Sequence, residues 1–155
     1  MNKRIKGQFT YDERRVLSIL VEMIIPASDE YGVPDAGDEA IVNAILIDAE
    51  RSSTRVVAAL SALEDIAQSR NNIGFADLSA DQRDDVVNAF RESQPANANL
   101  IAALTTQCYY RDDRVMVSLG MEPRPPHPDG YKVEQGDWSL LNPVRKRVEF
   151  YRKTK

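Results

Sequence analysis

One cysteine, Cys108, and one histidine, His127, stand in a chain of 155 residues. A lone cysteine has no internal disulfide partner, so cysteine usage says nothing about the redox compartment. With so few thiol and imidazole ligands, most autonomous metal sites are excluded. No Cys-x-x-Cys-His run could attach a haem, and no Gly-x-Gly-x-x-Gly could hold a dinucleotide. Apolar runs are short as well: none approaches the roughly 20 residues that span a bilayer.

What is present fits one globular domain. Hydrophobic residues make up 43% and charged residues 28%, which excludes disordered and collagen-like chains. A chain of this length buries roughly two-thirds of the surface it exposes when unfolded and needs no metal or disulfide to fold. The net charge of −4 is unevenly spread. Lys3, Arg4 and Lys6 open the chain, and six bases against Glu149 close it between 145 and 155, leaving an acidic body with 11 bases and 23 acids.

Helical punctuation organises the first 120 residues. Thr10-Tyr11-Asp12-Glu13 is a capping box opening a helix whose apolar face carries Val16, Leu17, Leu20, Val21, Ile24 and Ile25, and Pro26 stops it. The turn-rich stretch Ala27 to Asp38 reads as a surface loop. Ile41, Val42, Ile45, Leu46 and Ala49 mark a second helix. A third, after Ser52-Ser53-Thr54, carries Val56, Val57, Leu60, Leu63, Ile66 and Ala67 and ends near Asn71-Asn72. Ser79-Ala80-Asp81-Gln82 boxes a fourth with Val86, Val87 and Phe90. Gln94-Pro95 breaks before a fifth with Leu100, Ile101, Leu104 and Cys108, and Asp112 or Asp113 caps a short sixth that Gly120 ends. The spacing predicts an all-α fold: a compact bundle of about five to six helices over residues 1–119. An irregular Pro-rich C-terminal arm over 120–155 holds four prolines between Glu122 and Gly130 and closes in a short basic helix from Pro143 to Lys153.

Candidate chemistry has ordinary explanations. Asp81, Asp84 and Asp85, and Asp112 with Asp113, read as caps and dipole partners, because adjacent helical residues diverge by about 100°. Asp29, Glu30, Asp35, Asp38 and Glu39 crowd one loop without the alternating ligands of a calcium loop and read as solvated. Cys108 and His127 as nucleophile and base would define an independent small enzyme, but Cys108 lies on an apolar helix face and no third group orients the base. Arg14-Arg15 before an apolar stretch resembles a twin-arginine export signal, yet Glu22 and the capping box assign it to an amphipathic helix. The basic C-terminus would define a nucleic-acid-binding module, an idea the acidic body opposes.

Six of the eleven aromatics, Tyr109, Tyr110, Tyr131, Trp138, Phe150 and Tyr151, lie beyond residue 108 among arginines and prolines. Tyr, Trp and Arg are the residue types enriched at interface hot spots, and a Pro-rich arm orders at low entropic cost. Either this arm meets a partner or its aromatics fold back over the core, and composition alone leaves both open.

Four motifs in order resemble one known family. Leu20-Val21-Glu22-Met23-Ile24-Ile25-Pro26-Ala27 comes first, then Gly-Val-Pro-Asp-Ala-Gly at 32 to 37. Tyr109-Tyr110 closes a late helix, and Leu119-Gly120 precedes Pro-rich sequence and Gly130-Tyr131. Over roughly residues 10 to 150 the chain is similar to the small subunit family of gluconate 2-dehydrogenase, called subunit 3 or gamma. Asp137-Trp138-Ser139-Leu140-Leu141-Asn142-Pro143-Val144-Arg145 resembles one branch of it.

The resemblance implies a non-catalytic helical subunit that binds, stabilises or escorts a large flavoprotein dehydrogenase subunit of the glucose-methanol-choline type. FAD and the oxidation of a sugar or polyol then belong to that partner, which commonly passes electrons to a cytochrome c subunit. The chain itself is expected to carry no catalytic, cofactor or metal residue, no nucleic acid and no inserted membrane segment. Its expected interface residues are Tyr109, Tyr110, Pro125, Tyr131 and Trp138, with Arg145 and Arg147 as rim or charge-pair contacts. Family members often begin with a twin-arginine signal. This sequence enters its first helix within ten residues, so the expected compartment is the cytoplasm as the sequence stands, or the periplasm if it travels with an exported partner.

Overall fold

The computed structural model describes residues 9–148. The chain divides into two compact units between Pro123 and Arg124. In the first unit α1 (Tyr11–Ile24), α2 (Glu39–Asp48), α3 (Ser53–Asn71), α4 (Ala80–Ser93), α5 (Pro95–Tyr109) and α6 (Asp113–Ser118) follow one another. Single 3-10 turns fall at Ala49–Ser52 and Phe75–Asp77. Among the described residues there is no strand, only an isolated antiparallel bridge between Ser28 and Val33. The all-α bundle expected from the periodicity is the fold observed.

Local chemistry sets the helix ends. Thr10 accepts from the Glu13 N–H while the Glu13 carboxylate accepts from the Thr10 N–H, and Ser79 and Gln82 repeat that exchange at α4. Each such cap is worth about 1 kcal/mol. Asn72 ends α3 in the left-handed conformation at φ 58°, which asparagine tolerates better than most residues. Pro95 stands in the first turn of α5, where its missing N–H costs nothing.

Packing centres on α5. Its buried stripe, Ile101, Thr105, Cys108 and Tyr109, follows helical spacing, and α5 touches α1, α2, α3 and α4 in turn. Around it gather Leu17, Leu20 and Val21 of α1, Ile41 and Ile45 of α2, Val56, Leu60 and Leu63 of α3, and Val86 and Phe90 of α4. Thr105 is fully buried because its hydroxyl donates to the Ile101 carbonyl at 2.8 Å. The α3–α4 connection is held from both sides: Glu64 accepts from the Phe75 N–H, and Arg83 donates to the Ala76 carbonyl at 2.8 Å.

One expectation is refined and one corrected. The stretch from Ala27 to Asp38 is a surface loop as expected, but its C-terminal part is pinned to the bundle. Ala36 is fully buried, its N–H donates to the Ile25 carbonyl at 2.9 Å, and Ser18 of α1 donates to the Gly37 carbonyl at 3.1 Å. The terminal helix expected over 143–153 is shorter: α7 spans Asn142–Arg145, after a 3-10 turn at Trp138–Leu141. Four residues form little more than one turn, with neither a side-chain cap nor a buried face to propagate it. Residues 146–148 are not helical, and the rest of that expected helix, 149–153 with Phe150 and Tyr151, lies outside the described residues, as do Lys3, Arg4 and Lys6. Taken by itself, the second unit buries none of its described side chains.

Gly37 marks the tightest approach of the pinned loop. A Cβ there would stand 2.9 Å from the Ser18 carbonyl oxygen and 3.1 Å from the Glu22 Cβ, both part of a helix that cannot yield. Gly37→Ala is expected to cost about 1–3 kcal/mol, lowering Tm by several degrees in thermal unfolding. Gly136→Ala, where nothing lies within 4 Å, should leave Tm unchanged.

Candidate functional site

The C-terminal turn of α5 and the pinned loop build an aromatic corner. Tyr109 is 3% exposed, and its hydroxyl donates to the Pro34 carbonyl at 3.0 Å. Burial, joined by Tyr110 and nearby carboxylates, pushes its phenol above the ordinary tyrosine range. Tyr110 packs edge-on against it, ring centroids 5.3 Å apart and planes at 88°, with 54% of its own surface exposed. Tyr109 is therefore a core residue whose part at the surface is to hold Tyr110. Sequence reasoning placed the two side by side as anchors, but helical residues one apart face different ways.

Tyr110 rims a cleft of about 250 Å³ whose other walls are Pro26, Tyr31, Val33, Ser118 and Leu119. Tyr31 and Leu119 are both more than half exposed, while the Ser118 hydroxyl is buried with no hydrogen-bond partner. Sequence reasoning missed Tyr31, which joins the corner only because the Ser28–Val33 bridge, with Gly32 at φ 62°, folds the loop back. The Gly-Val-Pro-Asp-Ala-Gly run was the available signal.

An ion-pair cluster locks this corner. Arg114 of α6 donates to both Asp38 oxygens, at 3.1 and 2.8 Å, and to both Asp112 oxygens, at 2.9 Å each. Asp38 also caps α2 and Asp112 caps α6, so one guanidinium joins two helix N-termini that lie far apart in sequence. Arg114's hydrogen bonds hold both carboxyls below the usual carboxylate range, against the opposing effect of burial. In return Asp112, then Asp38, raises the guanidinium's own pKa. Asp112 was expected as a cap and is one. Asp38, expected to be solvated, is instead engaged in this cluster.

Cys108 is 2% exposed, its sulfur 3.7 Å from Asp48 Oδ2 and 3.6 Å from Arg111 Nη2. Burial first, then Asp48, pushes the thiol above its ordinary pKa, with Arg111 offsetting part of the rise. The thiolate, the nucleophilic form, is thus disfavoured. His127 belongs to the second unit. Among the described residues no group of three or more His, Cys, Asp or Glu side chains is placed to hold a metal ion, and no helix is long and apolar enough to cross a membrane.

Within the second unit Pro125, Tyr131, Trp138, Arg145 and Arg147 are all exposed. Trp138, 62% exposed, opens the 3-10 turn, where Asp137 accepts from the Ser139 N–H at 2.9 Å. Hydrogen bonds from the Ser139 hydroxyl, and from its backbone N–H, hold the Asp137 carboxyl below the usual carboxylate range. Leu140, 73% exposed, lies on the same turn. The expected interface residues therefore fall into two groups, Tyr109 and Tyr110 in the first unit and the remaining five in the second.

The lowered carboxyls set a sign for pH dependence. Their folded pKa values lie below the ordinary 3.8, so the stability they contribute is present above that pH and is lost as pH falls through the depressed values. The stability gap between wild type and Arg114→Met, measured by urea unfolding, should be widest above about pH 5 and narrow steadily towards about pH 2. A gap that does not change with pH would count against the cluster.

The model of the family described as gluconate 2-dehydrogenase subunit 3 matches residues 11–121. No curated protein and no solved structure gave a match. The matched stretch begins at the first residue of α1 and ends just beyond α6, so it takes in the whole bundle and its aromatic corner. With most of its length matched, the chain belongs to the gluconate 2-dehydrogenase subunit 3 family.

Proposed function

We propose that this chain is the non-catalytic small subunit of a heteromeric dehydrogenase, binding and stabilising, or escorting, a large subunit of the glucose-methanol-choline type. FAD and the oxidation of a sugar or polyol belong to that large subunit. The observation that carries this reading is the pairing of a family match over 11–121 with a C-terminal unit that buries none of its described side chains, yet carries Tyr131, Trp138 and Leu140. A segment with large apolar side chains and no core of its own gains most by burying them against another protein. Tyr110, Tyr31 and Leu119 offer a further apolar contact on the bundle. The raised pKa of Cys108 supports leaving the chemistry to the partner.

Co-expression with the candidate large subunit, followed by size exclusion with flavin absorbance, tests the proposal. The two chains should co-elute as a flavin-bearing, active complex, and the large subunit alone should be insoluble or flavin-free. Trp138→Ala should cost about 2 kcal/mol of binding, roughly a 30-fold rise in Kd. Association that survives both Trp138→Ala and deletion of 120–155 would sink the assignment of the arm.

A further inference from the structure

We infer that Arg124–Tyr131 is a preformed clasp that seats in an aromatic-lined groove on the flavin-bearing subunit, an inference that rests on the small-subunit reading above. Its two ends are tied together by their own side chains. Arg124 Nη2 donates to the Gly130 carbonyl at 2.7 Å, and the Tyr131 hydroxyl donates back to the Arg124 carbonyl. The guanidinium also lies 5.1 Å from the Tyr131 ring centroid, within cation–π range. Inside the ring the Gly130 N–H donates to the Pro126 carbonyl. Gly130 takes φ 65°, a conformation glycine alone adopts freely.

Closure of this kind has no explanation in a core, because no residue of the ring is buried. Pro125, Pro126 and Pro128 already restrict the backbone, and the Arg124–Tyr131 tie removes much of the remaining freedom. Ordering that other arms undergo on binding is here complete beforehand, which favours affinity.

The ring's chemistry indicates what it fits. Its three prolines carry no N–H and present pyrrolidine faces, while the Pro125 and Pro126 carbonyls already accept from Arg124 Nη1 and the Gly130 N–H. Of its polar side chains, Arg124 and Tyr131 are engaged in closing the ring, and His127 and Asp129 stand exposed beside the prolines. A surface that complements such a loop offers flat aromatic rings against the exposed pyrrolidine faces.

The test uses the full chain and the candidate large subunit. In the free chain the Arg124 side-chain protons should show upfield ring-current shifts that Tyr131→Ala abolishes; random-coil shifts would overturn preformation. Tyr131→Phe keeps the ring and removes only its hydrogen bond, so it should weaken binding about 3- to 10-fold. Pro125→Ala with Pro126→Ala should weaken it at least about 10-fold, the helical unit's Tm unmoved in both cases. If wild type binds and both variants bind equally well, the clasp is not the docking element. If wild type fails to bind at all, the small-subunit reading falls and the proposed groove with it, while the ring-current shifts still decide whether the loop is closed.

Discussion

The bundle depends on α5 being surrounded. A helix that touches α1, α2, α3 and α4 cannot expose a stable polar face to any of them, and α5 accordingly carries small and apolar residues over most of its length, Ala96 to Cys108. Its one fully buried polar side chain, Thr105, satisfies itself on its own backbone. The surrounding helices pack on α5 mainly through Leu, Ile, Val, Ala and Phe side chains. Tyr109 and Tyr110 stand at its C-terminal end.

From that end two constraints propagate. Tyr109 reaches the Pro34 carbonyl and draws the loop after α1 against the bundle, while Gly37 admits the same loop to within touching distance of α1. Arg114 then bridges the caps of α2 and α6 across the corner. Partly exposed charges contribute modestly by themselves. Here the bidentate geometry and the two helix N-termini served by one guanidinium make the arrangement directional as well as attractive. The cleft between Tyr31 and Tyr110 results from these constraints.

The proposed division of labour follows from the chemistry each part carries. The bundle spends its polar groups on caps, ion pairs and loop anchors, and its cysteine is held in the unreactive form. The second unit has the opposite character: none of its described side chains is buried, and its order comes from proline, a capped 3-10 turn and the Arg124–Tyr131 tie. These features support the proposal that the chain meets another protein through its second unit.

Much of this was legible in the sequence because it is local. Capping boxes at Thr10 and Ser79, the proline in the first turn of α5 and the apolar stripes at helical spacing act within a few residues, so the helices and the all-α class follow from the chain itself. The family resemblance was legible too, carried by short motifs in order. What tertiary structure decided was every fact that depends on distant partners. Asp38 belongs to an ion pair because Arg114, 76 residues on, folds beside it. Tyr31 joins the aromatic corner only once a bridge folds its loop back, and Tyr109 parts from Tyr110 because one side of α5 faces the core. Periodicity identifies a buried face but not the element that covers it, and charge identifies a polar residue but not its partner.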